Sequence, residues 1–74
     1  MNYVNINKLK GKIVEKDMTV TSLAEKIGVD RATLYRKLDN GGAGLTVKDA
    51  NNIAVALDLS YEESMSIFFA RYVA

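Results

Sequence analysis

Apolar residues recur along this chain at three- and four-residue spacings with polar residues between them, and no proline interrupts the pattern, so it predicts helices throughout. Leu9 and Ile13, with Val14 beside them, follow Asn5 and Asn7, either of which can cap a first helix ending near Lys16. Gly11 weakens that helix. Thr19 precedes a second helix in which Leu23 and Ile27 form the next i, i+4 pair, and Gly28 ends it, because glycine enters the left-handed conformation without strain. Asp30 is a good N-cap for a third helix over Arg31–Asp39, with Leu34 and Leu38 as its buried stripe. Only Val29 and Asp30 separate Gly28 from that helix, so the second and third helices must cross steeply rather than lie side by side.

Asn40-Gly41-Gly42-Ala43-Gly44 holds three of the five glycines and reads as the one true loop. Thr46-Val47-Lys48-Asp49 is a variant capping box opening a fourth helix, with Val47, Ala50, Ile53, Ala54 and Leu57 on one face. Ser60-Tyr61-Glu62-Glu63 is a full capping box. It opens a last helix with Tyr61, Met65, Phe68 and Tyr72 on one stripe, widened by Ile67, Phe69 and Val73. The pattern predicts an all-α protein of five helices in one domain, residues 1–74.

Composition narrows the chemistry. The chain has 74 residues with no Cys and no His, which excludes zinc sites of thiolate or imidazole ligands, cysteine nucleophiles, a Ser-His-Asp relay and disulfide staples. Apolar residues make up 49%, enough for a core that must hold without staples, but a deep cleft is hard to carve from so short a chain. A non-enzymatic binding module without metal or cofactor is the expectation. The net charge of +1 hides an asymmetry: residues 1–37 hold eight basic side chains against four acidic ones, and residues 38–74 hold two against five, a split of +4 and −3. Such a split suggests an anion-facing side and an acidic side. The longest apolar stretch, Ser64 to Ala70, falls far short of the roughly 18 residues of a membrane span, and MNYVNINKLKGK lacks the apolar segment of a signal peptide. A cytoplasmic protein is expected.

The stretch VTSLAEKIGVDRATLYRKL, Val20 to Leu38, has the pattern of a DNA-binding helix-turn-helix. Ala24 is small where the two helices cross, Gly28 supplies the turn, and Leu23, Ile27, Val29 and Leu34 glue the pair to the core. Here the chain resembles the Cro/repressor-type (Xre) helix-turn-helix family, in particular its short phage and mobile-element members with five helices. The resemblance runs through MTVTSLAEKIGVDRATLYRKLDN, LTVKDANNIAVALDLS and EESMSIFF, nearly the whole chain. It implies a lambda-repressor-like fold and a small transcriptional regulator that binds a double-stranded DNA operator in a bacterial or phage-infected cell. One position departs from the family: the last core residue of the motif is Leu38, where several members place it one residue earlier, at the site held here by Lys37.

The outward face of the third helix follows from geometry alone. At about 100° per residue, Leu34 and Leu38 centre the buried stripe, so Ala32 and Arg36 point away from it, flanked by Thr33 and Tyr35, with Arg31 at the N-terminal tip. The resemblance assigns base contacts in the major groove to Arg31, Ala32, Thr33 and Arg36. An arginine can take guanine O6 and N7 together, while the Ala32 and Thr33 methyls can pack on a thymine methyl. Thr21, near the positive end of the second helix, resembles the family's phosphate-contacting position. Tyr35, Lys37 and the amides around Asn40, Gly41 and Gly42 complete the expected phosphate contacts, with Asp39 an adverse charge among them. Lys8, Lys10 and Lys12 read as a solvated face. A homodimer, formed on DNA or through the C-terminal helix, follows from the surplus of apolar residues there. Two rivals stand beside this reading. One is a protein-interaction module, such as an antirepressor or assembly factor, that keeps the fold without DNA binding. The other is a small enzyme, which has little support, because the adjacent Glu62 and Glu63 do not converge on one substrate atom.

Overall fold

Each helix opens on a side chain that stands in for the backbone partner its first amides lack. In the computed structural model, which describes Met1 and residues 4–70, the caps are Asn5, Thr19, Asp30, Thr46 and Ser60. They open α1 (Ile6–Glu15), α2 (Val20–Ile27), α3 (Arg31–Asp39), α4 (Val47–Ala56) and α5 (Tyr61–Phe68). Three caps are reciprocal boxes: Ser22 Oγ, Asp49 Oδ2 and Glu63 Oε1 accept from the amides of Thr19, Thr46 and Ser60 at 2.9, 3.0 and 2.9 Å. The two-way choice at the first helix resolves to Asn5, whose Oδ1 accepts from the Lys8 amide at 3.1 Å. All five helices are where the apolar pattern predicts them, and the described residues contain no strand.

The first four helices also end alike. A residue with positive φ follows each of them, Asp17 (57°), Gly28 (76°), Gly41 (67°) and Asp58 (50°). Its amide donates three residues back and the next amide five residues back, as in Gly28 N–H to Glu25 at 3.2 Å and Val29 N–H to Ala24 at 3.0 Å. This Schellman closure satisfies the last carbonyls and folds the chain back at once. The third case, Gly41 to Leu38 at 3.1 Å and Gly42 to Lys37 at 3.0 Å, turns the predicted loop into an ordered hinge between α3 and α4.

One face of every helix meets a common core whose centre is Leu9, Leu23, Ile53 and Ile67, each without exposed surface. Ala24, Leu34, Leu38, Leu45, Leu57 and Phe68 close around it, and no polar or charged side chain is buried among the described residues. Three expectations shift. Val14 and Val47 are exposed rather than core residues, Val14 because it lies about 100° round from Ile13 and Val47 because it is the first residue of α4, ahead of its packed turns. The buried face of α5 centres on Ile67 and Phe68 and leaves Tyr61 exposed. The Val4–Asn5 segment covers the far end, where the Asn5 amide donates to the Ile67 carbonyl at 2.8 Å, and Tyr61 sits about 9 Å away along the axis. Tyr72 and Val73 lie outside the described residues.

Val4 also packs against the hinge. A Cβ on Gly42, whose φ is +82°, would sit 2.7 Å from Val4 Cβ, while one on Gly41 would meet nothing within 4 Å. Gly41→Ala is expected to lose about 1–2 kcal/mol from left-handed strain alone. Gly42→Ala adds a clash costing about 1–3 kcal/mol more; urea unfolding of the two variants side by side measures the difference.

A charged seam joins α1 to α5. Lys12 Nζ lies 2.7 Å from Glu15 Oε2 and also contacts Glu63 Oε2, while the other Glu63 oxygen caps its own helix. The hydrogen bond from Lys12, and then the Ser60 amide, pull the Glu63 carboxyl from its ordinary 4.5 down to about 2. A carboxyl depressed in the folded state stabilises fully above its unfolded value and loses that contribution as pH falls through the folded one. The urea midpoint is therefore expected to drop between about pH 4.5 and 2, and to drop less in Glu63→Gln, which keeps the capping oxygen.

Candidate nucleic-acid interface

The helix-turn-helix is built by the Gly28 closure. Ending α2 at Ile27 and restarting at the Asp30 cap, whose Oδ2 accepts from the Thr33 amide at 3.2 Å, leaves no room for the helices to run side by side. Ala24 is buried at the crossing, and Leu23 and Leu34 seat the pair in the core. α3 is thus held by one stripe, Leu34 and Leu38, and its opposite side is free.

That side carries most of the residues expected to meet bases. Arg31, Ala32 and Arg36 are exposed, Thr33 is half-buried with its amide committed to Asp30, and among the described residues neither arginine enters an ion pair. Tyr35 is 44% exposed, so its ring stands at the edge of this surface instead of packing into the core. Thr21 is half-buried in the first turn of α2. The box at that helix start is made by Thr19 and Ser22 and brings no carboxylate, whereas α4 and α5 carry Asp49 and Glu63 at the same position. The N-terminal end of α2 therefore keeps its partial positive charge without an acid in its first turn to offset it.

The expected phosphate contacts near the end of α3 divide. Asn40 and Gly41 are exposed, but the Asn40 amide donates to Arg36 at 3.1 Å, and the Gly41 and Gly42 amides are used in the Schellman closure. The backbone amides expected to meet a phosphate are thus committed within the chain, which leaves the exposed Asn40 side chain and no amide of Gly41. Lys37 turns inward: its Nζ lies 2.9 Å from Asp49 Oδ2, with side chains 29% and 18% exposed. Burial alone would raise the Asp49 carboxyl; the Thr46 amide and the Lys37 ammonium outweigh it and hold the group below its usual range. The sequence marks Asp49 only as a cap, and its link to a lysine twelve residues earlier leaves no local signal.

The described residues contain no group of His, Cys, Asp and Glu able to hold a metal ion, and no helix long and apolar enough to cross a membrane. No curated protein and no solved structure matches the chain. A family model does: that of the Cro/C1-type HTH DNA-binding domain, over residues 8–67, from the middle of the first turn of α1 to the last turn of α5. The match contains the whole helix-turn-helix and its exposed α3 face, and the chain belongs to this family of DNA-binding domains.

Proposed function

We propose that the protein is a sequence-specific transcriptional regulator of the Cro/repressor kind, which lays α3 in the major groove of a double-stranded operator and acts by occlusion or recruitment at a promoter in the bacterial cytoplasm. The observation that carries this reading is the exposed α3 face, where Arg31, Ala32 and Arg36 face outward, the arginines without an ion pair among the described residues, on a helix-turn-helix seated by Leu34 and Leu38. Arg36 is the residue placed to read a guanine, with Arg31, Ala32 and Thr33 completing the base contacts. Thr21 at the start of α2, whose cap is neutral and whose first turn holds no acid, Tyr35 and the Asn40 side chain would hold phosphates on either side.

One domain of this size covers little DNA, and two copies on half-sites about one helical turn apart double the contact. The exposed valines of α4, Val47 and Val55, and the half-buried Phe69 supply apolar surface for a weak homodimer. Sedimentation of the DNA complex is expected to give two protomers per operator; one protomer per duplex at saturating concentration would contradict the dimer.

Leu34 and Arg36 separate folding from reading. Leu34→Ala is expected to cost about 2–5 kcal/mol of packing and to lose DNA binding through unfolding. Arg36→Ala leaves stability within about 0.5 kcal/mol, yet weakens binding by about 1–3 kcal/mol per half-site and relaxes preference at one operator position. The measurement pairs thermal unfolding with anisotropy titration of a duplex selected from a random pool. A folded Arg36→Ala protein that binds as tightly as the parent, or a parent that binds no duplex at low salt, would favour the interaction-module reading.

A further inference from the structure

We propose that Lys37 is a positioning residue: through Asp49 it ties the last turn of the reading helix to the first turn of α4 and so sets where the Arg36–Asn40 end of α3 stands against DNA. The inference rests on the reading of α3 as the DNA-contacting helix. It separates Lys37 from the phosphate contacts with which its charge and place in the sequence group it.

Four features of the geometry carry it. Lys37 lies only about 60° round the helix from Leu34, on the inner edge of α3, whereas Arg36 lies about 160° from it. The lysine stem crosses the hinge at Gly44, where an added Cβ would stand 3.2 Å from Lys37 Cγ. Its ammonium then ends on the same Asp49 oxygen that accepts the Thr46 amide at 3.0 Å. The Lys37 carbonyl meanwhile accepts the Gly42 amide at 3.0 Å. One residue therefore holds the hinge through both its main chain and its side chain. A lysine reaching for phosphate would have to leave Asp49 half-covered and without its counter-ion.

The two roles predict opposite effects at Asp49. If Asp49 only competes with DNA for Lys37, neutralising it frees a cation and tightens binding. If the pair positions α3, breaking it from either side weakens binding. The experiment compares Lys37→Gln, Lys37→Arg, Asp49→Asn and Asp49→Ser, the last two retaining a neutral capping oxygen of the kind Ser22 provides in α2. Each is titrated by anisotropy, over a range of potassium chloride concentrations, against a 20-base-pair duplex selected from a random pool by the parent protein. Amide hydrogen exchange of Gly42 to Leu45 is followed without DNA.

Lys37→Gln, Asp49→Asn and Asp49→Ser are each expected to weaken binding about three- to tenfold and to speed exchange in the hinge, with no loss of salt slope for Lys37→Gln. Lys37→Arg restores both, since a guanidinium can also pair with Asp49. A salt slope lowered by about 0.9 in Lys37→Gln together with tighter binding by Asp49→Asn would make Lys37 a phosphate contact and overturn the proposal. Unchanged hinge exchange in all the variants overturns it as well, whether or not DNA binds. A parent protein that fails to bind any duplex refutes the DNA reading instead, and the exchange data still decide whether the pair holds the hinge.

Discussion

Helices of eight to ten residues are the constraint from which the rest of this structure follows. Isolated helices below about 12–15 residues are marginal in water, because the first turn fixes several dihedrals for one hydrogen bond. Each of these must be closed at its ends and buried on one face to persist. The chain meets that demand with a capping side chain at every start and a left-handed residue after each of the first four ends. Since the next helix begins after only three or four residues in three of these four cases, ending a helix and aiming the next one are there a single event. The packing of α2 against α3 is therefore a product of helix termination, and the outer face of α3 is exposed where it is because Gly28 stops α2 there.

The capping carboxylates also do a second task. Glu63 caps α5 with one oxygen and holds Lys12 of α1 with the other, and Asp49 caps α4 while holding Lys37 of α3. In both cases a local signal at a helix start becomes a link between helices distant in sequence. It also offsets the positive end of the helix it caps. α2 differs, with a neutral Thr19–Ser22 box and no acid in its first turn. Charge is thus cancelled within the pairs on α1, α3, α4 and α5, while the start of α2 and the arginines of α3 keep theirs. The helix-turn-helix also carries the exposed Glu25, Lys26, Asp30 and Asp39, so a net charge of +1 says little about any one of its faces.

Features written into short segments were legible in the sequence. Asp30, Thr46 and Ser60 cap as their sequence context predicts, Gly28 is left-handed, and α3 has the predicted limits, since each depends on residues within four positions. Asp17 and Asp58 were not legible as helix stops, although aspartate tolerates the left-handed region better than most residues. A solvent-exposed aspartate looks the same in sequence whether its backbone is left-handed or helical. Burial at helix starts was misread for a different reason. Periodicity places Val47 and Tyr61 on apolar faces, but whether a neighbour covers the first turn depends on where the other helices cross. The inward turn of Lys37 likewise required knowing that α4 begins beside α3.

The register of Leu38 accounts for one of the glycines that follow it, and the others have reasons of their own. With Leu38 in the core, the preceding position comes to the inner edge of α3, and the lysine there has to carry its charge past the hinge to reach water or a partner. Gly44 lets the stem pass, Gly42 lets Val4 close over the turn, and Gly41 accepts the positive φ that reverses the chain. Three glycines within four residues resemble a flexible linker by composition, yet each answers a different steric demand, and the Gly41, Gly42 and Leu45 amides all have backbone partners. The segment that looks loosest in the sequence is therefore a hydrogen-bonded joint between α3 and α4, tied to both by the Lys37–Asp49 pair.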